Sequence, residues 1–247
     1  MNLMAAMKSV KIFMLILLAA LSSCAAQSQL IEAEEETVVI ENLRYYLYFP
    51  KEYEERTEER FPLLLFLHGG GESGQDLEAL KTNGPPKLLA EGKQFPFLVL
   101  APQHPHPKKW WNIRAVMELL ETVIQENRVD PNRIYLTGLS RGGSAAWEMA
   151  VQYPDTFAAM MVVCGMTPVP YAHWINKNMP IWVFHGAQDK VIPIEHSEKM
   201  VAKLKEMGYP VIFTRYEDVA HNAWERAYTT EDVYEWFMQQ SKSDGKN

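Results

Sequence analysis

The sequence predicts an α/β fold with a mainly parallel, twisted sheet that is covered by helices on both faces. Short apolar runs, typical of strands buried on both faces, alternate with segments in which apolar residues recur at helical spacing. The predicted strands are residues 63–67, 97–100, 134–137, 157–163, 181–184 and 211–215. The predicted helices are residues 116–124, 144–153, 195–207 and 229–239. This alternation favours parallel strands joined by crossover helices.

The remaining segments are predicted as connections and as an opening hairpin. Residues 37–40 and 43–49 predict two antiparallel strands with Asn42 near the turn, and residues 51–60 form a charged loop. Asp130-Pro131-Asn132 predicts a turn. Residues 165–179 are the only insertion after the sixth strand, and they are too few for a separate lid domain.

The amino terminus carries the pattern of an export signal. Lys8 and Lys11 precede a continuous apolar run at residues 12–21, which is shorter than the roughly 20 residues of a membrane-spanning helix. The run ends in Leu21-Ser22-Ser23-Cys24, which resembles the bacterial lipobox. That resemblance implies cleavage before Cys24 and attachment of a diacylglycerol, with fatty chains such as palmitate, to its thiol. The alternative is an ordinary signal peptide cut nearby, with Cys24 incidental.

These patterns divide the chain into four parts. Residues 1–23 are a lipoprotein signal peptide, residues 24–36 a polar and acidic tether, residues 37–241 one domain, and residues 242–247 a tail. The mature protein is therefore expected to be exported and held by lipid at a membrane of a bacterial cell envelope, either in the periplasm or at the surface.

Composition excludes several function classes. The chain is 47% hydrophobic, as globular proteins are, and its formal net charge is −7, which becomes more negative when the leader removes two lysines and no acid. An acidic surface argues against nucleic acid as a partner and against adsorption to anionic lipid by charge. The second cysteine, Cys164, lies in an apolar run and predicts a buried, inert thiol, so neither a disulfide nor a cysteine metal motif is expected.

The strongest chemical signal is residues 138–142, with the sequence Gly-Leu-Ser-Arg-Gly. A predicted strand runs into this segment and a predicted helix follows it, which is the strand–turn–helix context of a nucleophile elbow. Glycine at positions 138 and 142 leaves room for a tight turn that exposes the hydroxyl of Ser140. The alternative is a helix cap built from glycine and serine.

A second glycine-rich segment follows the strand at residues 63–67. It reads His68-Gly69-Gly70-Gly71-Glu72. One N–H of such a loop and the N–H after the nucleophile form an oxyanion hole in this arrangement. We assign these donors to Gly70 and Arg141, with Gly71 as the alternative to Gly70. A flexible surface loop would explain the glycines without any such function.

A carboxylate and an imidazole complete the predicted site. Asp189 follows the strand at residues 181–184, and His221 follows the last strand, so the chain order is serine, aspartate, histidine. Asp189 could instead cap a helix, and Asp218 is the alternative carboxylate. Of the other histidines, His68 and His185 are expected to satisfy backbone groups.

Four other histidines offer weaker candidates. His104 and His106 could form a two-histidine metal site, but no acidic ligand pattern accompanies them, so no metal is expected. His173 and His196 have no supporting context. We therefore predict His221 as the base and expect no cofactor.

Several stretches of the chain resemble a known family. Residues 65–69, 133–140, 182–189 and 221–224 are similar to the secreted esterase and "predicted peptidase" branch of the α/β-hydrolases. That branch is related to feruloyl and acetylxylan esterases and to polyhydroxybutyrate depolymerases. The resemblance covers about residues 38–240 and implies the α/β-hydrolase fold, with Ser140, Asp189 and His221 as a catalytic triad. One departure is Arg141, where such proteins often have Met.

These residues together predict a serine hydrolase that cleaves carboxylic esters through an acyl-enzyme. Because the histidine base must be neutral, activity is expected to fall below a pH of about 6 to 7. An open site suits acyl groups on a polysaccharide or a small-molecule ester, with Trp110 and Trp224 as an aromatic wall. Trp111 is as well explained by packing. The alternatives are a peptidase of the prolyl-oligopeptidase type, a (lyso)phospholipase, and a non-catalytic binding lipoprotein. Oligomeric state is left open.

Overall fold

The computed structural model describes residues 41–242. The predicted signal peptide, Cys24, the tether, the strand at residues 37–40 and the last tail residues lie outside this range. Within it, no helix is both long and apolar enough to cross a membrane.

A seven-stranded sheet forms the centre of the molecule, in the order β1-β3-β2-β4-β5-β6-β7. Among the strands of residues 41–242, only β1 runs antiparallel to its neighbour; the other pairs are parallel, which confirms the predicted fold class. The strands are β1 Arg44–Tyr48, β2 Phe61–Leu67, β3 Leu98–Gln103, β4 Val129–Leu139, β5 Ala159–Val163, β6 Ile181–Gly186 and β7 Val211–Tyr216.

Residues 41–242 contain six α-helices, of which α1 to α4 connect strands and α5 and α6 follow the last strand. They are α1 Gly84–Ala90, α2 Ile113–Glu126, α3 Arg141–Gln152, α4 Glu195–Glu206, α5 Trp224–Ala227 and α6 Glu231–Met238. Two 3₁₀-helices, Leu77–Thr82 and Val169–His173, lie in the loops after β2 and β5. Within the described residues, the segment between β5 and β6 contains only this second short helix and no separate lid domain.

Two apolar cores lie on opposite faces of the sheet, because successive side chains of a strand point to opposite faces. On β2, Leu63, Leu65 and Leu67 pack into the core that contains residues of α2, α3 and α4. Leu64 and Phe66 pack into the other core, with residues of α5 and α6. Burial of β2 on both faces explains why it is a continuous apolar run in the sequence.

The structure corrects one prediction from the sequence and adds one helix. Residues 130–132 do not reverse the chain: they lie within β4, where the register with β2 shifts between Phe61 and Leu63. The Asp130 carboxylate accepts from the Asn132 N–H at 2.9 Å, so the turn-forming residues shape a bulge instead. Helix α1 is an addition to the predicted elements: its first turn contains Pro85 and Pro86, and proline is tolerated at that position of a helix.

Candidate active site

Ser140 lies on a tight turn between β4 and α3. Its backbone has φ 52° and ψ −119°, a conformation that few residues other than glycine adopt. A Cβ at Gly142 would stand 2.0 Å from the Leu67 carbonyl oxygen, and one at Gly138 would stand 2.3 Å from the Gly142 oxygen. The turn is therefore closed to larger residues at both glycines, and it holds the serine hydroxyl above the carboxyl end of the sheet.

Ser140, His221 and Asp189 form one continuous line of hydrogen bonds. The Ser140 Oγ lies 2.9 Å from His221 Nε2, and the His221 Nδ1 lies 2.7 Å from Asp189 Oδ2. Asp189 follows β6, and His221 lies in the loop between β7 and α5. The parallel strand order thus brings together three side chains that are far apart in the chain.

The Asp189 carboxylate is fully enclosed and accepts several hydrogen bonds. Its Oδ1 accepts from the backbone N–H groups of Val191 at 2.8 Å and Ile192 at 2.9 Å. Burial acts to raise the pKa of Asp189, but the hydrogen bonds from His221, Ile192 and Val191 outweigh burial and lower it. The carboxylate therefore stays ionised and can stabilise a charged His221.

His185 lies beside Asp189 and His221, and both of its ring nitrogens have hydrogen-bond partners. Its Nδ1 lies 2.8 Å from the Ser197 hydroxyl, and its Nε2 lies 2.8 Å from the Ile192 carbonyl oxygen and 3.2 Å from Asp189 Oδ2. The carbonyl must accept, so the hydrogen is on Nε2, and burial lowers the pKa of this imidazole. The prediction that His185 satisfies a backbone group is confirmed.

The glycine loop, residues 68–74, faces the start of α3. Among residues 41–242 the backbone N–H groups of Gly70 and Arg141 have no protein acceptor, so both are free to bind a ligand oxygen. His68 supports this loop from inside: its Nδ1 lies 2.6 Å from the Gly69 oxygen, and its Nε2 accepts from the His104 N–H at 2.8 Å. Burial lowers the pKa of His68 to about 4, so the ring is neutral at ordinary pH.

A chain of hydrogen-bonded polar groups that the sequence did not indicate, buried at Glu72 and half-buried at Asn83 and Trp224, connects the glycine loop to the neighbourhood of His221. Glu72 Oε1 accepts from the Asn83 side chain at 2.8 Å, and the Asn83 oxygen accepts from Trp224 Nε1 at 2.9 Å. The Trp224 ring stands perpendicular to the His221 ring at 5.1 Å. Asn83 and Glu72 have no motif of their own, and only their positions in the fold reveal this role.

The three candidate aromatic residues lie in different surroundings. Trp110 is 47% exposed and donates from Nε1 to Glu148 at 2.9 Å. Trp224 is half-buried between Asn83 and His221. Trp111 is buried and its ring packs against His68 and His104, which agrees with the packing interpretation.

An open cleft of about 560 Å³ begins one helical turn beyond Ser140. Trp110 lines it, as does Thr167, whose buried Oγ1 has no hydrogen-bond partner among the described residues. The other lining residues are Ser144, Glu148, Met166, Pro168, Val169, Tyr171 and His196. Most of these lie in the loop after β5, which carried no functional motif in the sequence.

Two alternatives from the sequence are disfavoured by the geometry. Asp218 is an exposed residue that pairs with Arg226 at 2.8 Å rather than with His221. His104 uses both ring nitrogens, one with the Trp110 oxygen at 2.7 Å and one with the His106 N–H at 3.1 Å. Neither nitrogen of His104 is left to bind a metal ion.

One group of metal-type ligands occurs among the described residues. Cys164, His185 and Asp189 place their ligand atoms within 4.8 Å of one another. Burial raises the pKa of the Cys164 thiol to about 12, and the Asp189 oxygens already accept from four donors. A protonated thiol is a poor metal ligand, so this group is better explained as support for Asp189.

The mainly parallel sheet, the tight serine turn and the enclosed carboxylate define an α/β-hydrolase. Residues 107–236, more than half of the chain, match the model of the phospholipase/carboxylesterase family. The chain therefore belongs to that family.

Curated relatives of this chain include proteins named as esterases. The "Probable acetylxylan esterase A" of Neosartorya fischeri is 24% identical, with 69% of this chain and 49% of that protein covered. Carboxylesterase SOBER1 of Arabidopsis thaliana is 24% identical, with 64% of this chain and 82% of that protein covered. This chain spans between 22% and 49% of the length of the first curated relatives that it matches.

Solved structures give the same fold. A thermostable esterase superposes with a TM-score of 0.71 at 31% identity, covering 81% of this chain and 60% of that one. A ferulic acid esterase superposes with a TM-score of 0.60 at 18% identity, covering 78% of this chain and 89% of that one. The second likeness shows the fold alone.

Proposed function

We propose that this protein is a serine hydrolase that cleaves carboxylic esters through an acyl-enzyme. The observation that carries the proposal is the hydrogen-bonded line from the Ser140 hydroxyl through His221 to the enclosed Asp189 carboxylate. The family membership and the esterase names of the relatives support the same reaction class.

In the proposed first half-reaction, His221 Nε2 takes the proton of the Ser140 hydroxyl while Oγ attacks the ester carbonyl carbon. The carbonyl π electrons move to the oxygen, and the N–H groups of Gly70 and Arg141 stabilise that negative charge. Collapse of the intermediate breaks the ester C–O bond, and His221 returns the proton to the leaving alcohol. Asp189 keeps the Nδ1 hydrogen in place and stabilises the imidazolium while it is charged.

Water completes the cycle by the same groups. His221 takes a proton from water as its oxygen attacks the acyl carbon, and the acid is released when the bond to Ser140 Oγ breaks and that oxygen regains the proton. An oxyanion donor contributes about 3 kcal/mol to such steps where it has been tested in other hydrolases. A preformed hole is thus a large part of the expected rate enhancement.

The cleft beside Ser140 favours a bulky ester over a long lipid chain. Its lining is mainly apolar, and its Trp110 ring is held in place by Glu148. A sugar ring or a phenolic acyl group has the flat apolar face and the hydroxyl groups that such a cleft would bind. We therefore propose acyl groups on polysaccharides, or small esters resembling them, as substrates, with Trp110 and Trp224 at the two sides of the site.

Export and lipid anchoring are proposed on the leader pattern alone. Lipidation at Cys24 would place the hydrolase at the envelope of the cell, where it would meet polymers from outside. Metabolic labelling with an alkyne analogue of palmitate tests this directly: the wild-type chain should be labelled and the Cys24→Ser variant should not. Labelling of neither chain would overturn the anchor.

A fluorophosphonate probe tests the proposed nucleophile. The probe should modify Ser140 in the wild type, and Ser140→Ala should block modification and reduce ester hydrolysis at least about 1,000-fold. The matched control is Ser144→Ala, one turn along the same helix, which should retain labelling. A wild type that is folded but neither labelled nor active would refute the enzymatic function.

A substrate panel then separates the ester classes. We expect hydrolysis of p-nitrophenyl acetate and methyl ferulate and little hydrolysis of an aminoacyl anilide. Trp110→Ala should raise KM for methyl ferulate more than for p-nitrophenyl acetate, since only the larger ester reaches the cleft. Equal effects on both esters would argue against the cleft as the substrate site, and preferential cleavage of the anilide would favour the peptidase alternative.

A further inference from the structure

The Arg141 side chain does not point freely into solvent beside the nucleophile. Its Nη1 donates to the Pro107 carbonyl oxygen at 2.8 Å and to the Lys109 carbonyl oxygen at 3.2 Å. Its Nη2 donates to the Gly70 carbonyl oxygen at 3.4 Å and to the Ser73 hydroxyl. One guanidinium thus joins the glycine loop after β2 to the loop after β3.

These contacts restrict the peptide planes on both sides of Gly70. A planar trans peptide points its C=O and its N–H in opposite directions, so fixing one fixes the other. His68 holds the Gly69 oxygen and thereby the direction of the Gly70 N–H, while Arg141 holds the Gly70 oxygen and thereby the direction of the Gly71 N–H. Without these two contacts, both peptide planes next to Gly70 could rotate at little cost, because glycine has no Cβ.

The arrangement requires arginine rather than any cation. Arginine presents five N–H donors in a rigid planar fork, whereas lysine has one rotating ammonium group that cannot reach acceptors on two loops at once. Its acceptors here are three backbone carbonyls and one hydroxyl, none of which is a carboxylate. Among the described residues, the guanidinium therefore holds backbone groups in place and forms no salt bridge.

We propose that Arg141 is a positioning residue for the oxyanion hole: its backbone N–H is one donor, and its side chain holds the glycine loop that supplies the other. This rests on the proposed esterase function and deepens it. It also gives a physical meaning to arginine at the position where similar hydrolases often have methionine, because methionine has a similar length but no donor.

The competing role is recognition of an anionic substrate by the Arg141 charge. The two roles differ in the step that they affect. Loss of an oxyanion donor's position weakens stabilisation of the transition state and lowers kcat, whereas loss of ground-state recognition raises KM. A neutral ester such as p-nitrophenyl acetate removes the second contribution altogether.

The test compares Arg141→Met, Arg141→Lys and Ser73→Ala with the wild type on p-nitrophenyl acetate, with active sites counted by titration. We expect Arg141→Met to lower kcat about 10- to 100-fold, with KM changed less than about threefold. This fall in kcat is smaller than the fall expected when an oxyanion donor is removed completely. Arg141→Lys should recover only part of the loss. A trifluoromethyl ketone should bind Arg141→Met more weakly by the same factor as kcat/KM falls.

Arg133→Met is the matched control, because Arg133 is also half-buried but lies on β4, toward the end of that strand farther from Ser140. It should leave kcat within about twofold. Ser73→Ala should lower kcat severalfold alone and have no further effect in the Arg141→Met background, since both changes break one contact. This variant also keeps the test valid if Arg141→Met does not fold.

Three results would overturn the positioning role while leaving the esterase function intact. An Arg141→Met enzyme with unchanged kcat would show that the side chain does not position the hole, as would additive effects of Ser73→Ala and Arg141→Met. A loss seen only as a raised KM for an anionic ester, which lysine fully restores and which p-nitrophenyl acetate does not show, would indicate charge recognition instead. A folded wild type inactive on every ester would refute the esterase function, and the positioning role with it, whereas an active wild type isolates the role of Arg141.

Discussion

At the scale of single residues, Ser140 is held in a conformation that its own chemistry disfavours. A positive φ costs a residue with a Cβ about 1 to 3 kcal/mol, and the surrounding structure must offset it. The Ser140 N–H bonds to the Val163 oxygen at 2.8 Å, and the glycines around it close the turn. The turn therefore presents the Ser140 hydroxyl at the expense of a strained backbone at this residue.

This strain predicts that Ser140→Gly and Ser140→Ala differ in stability although both lack the hydroxyl. Glycine relieves the positive φ and costs about 0.5 to 1 kcal/mol of chain entropy relative to alanine, so Ser140→Gly should be more stable than Ser140→Ala by about 1 kcal/mol. Urea denaturation of the two variants measures the difference. Equal midpoints, or a more stable alanine variant, would mean that the turn is unstrained.

In the sequence, only its place after the last strand distinguishes His221 from the other six histidines. The structure shows a physical distinction that chain order lacks: His68, His104 and His185 use both ring nitrogens on neighbouring groups. The predicted roles of Ser140, Asp189 and His221 remain proposals until variants are assayed.

At the scale of elements, the serine turn depends on close contact between α3 and the end of β2. Gly142 on the helix lies against the Leu67 and His68 carbonyl oxygens, with no space for a methyl group. The helix therefore meets the strand backbone directly, and this contact fixes the distance between the nucleophile and the glycine loop.

Gly142→Ala is therefore expected to destabilise the protein severely. The added Cβ would meet backbone atoms at 2.0 to 2.5 Å, so β2 or α3 must shift, at a cost of about 4 kcal/mol or more. The melting temperature measures the effect. Gly71→Ala is the control, since a Cβ there meets nothing within 4 Å, and it should melt near the wild type. A stable Gly142→Ala protein would contradict the close packing.

Elements were predicted well where an apolar run or a helical period marks them. The unpredicted α1 has Pro85 and Pro86 in its first turn. The β4 bulge has the residues of a turn, because local residue preferences do not reveal whether a neighbouring strand continues the pairing. Tertiary contacts decided both cases.

At the scale of the whole molecule, buried neutral histidines make stability depend on pH. The pKa of His68 is lowered to about 4 by burial, whereas a histidine in the unfolded chain titrates near its ordinary value of about 6.5. Between these values the unfolded chain binds a proton that the folded protein does not, so the free energy of unfolding falls as the pH falls. His104 and His185, whose pKa values are also lowered by burial, act in the same direction.

We expect the free energy of unfolding to be largest above pH 6.5 and to fall by about 3 kcal/mol toward pH 4 from His68 alone. Urea midpoints at pH 7.0, 5.5 and 4.5 measure the slope. His68→Asn, which can still donate to the Gly69 oxygen, should be less stable at pH 7 but show a flatter slope. Exposed His173→Asn should follow the wild type. A His68→Asn slope equal to the wild type would contradict the assignment.

The sequence by itself determined the fold class, the nucleophile candidate and the order of the three proposed catalytic residues. These are local signals: buried strands are apolar, and a tight turn needs glycine. Only the tertiary structure decided the Arg141 contacts, the chain of polar groups from Glu72 to Trp224 and the cleft beside Ser140. These join segments from different strand ends, and the order of strands in the sheet, which no local pattern encodes, determines which segments become neighbours.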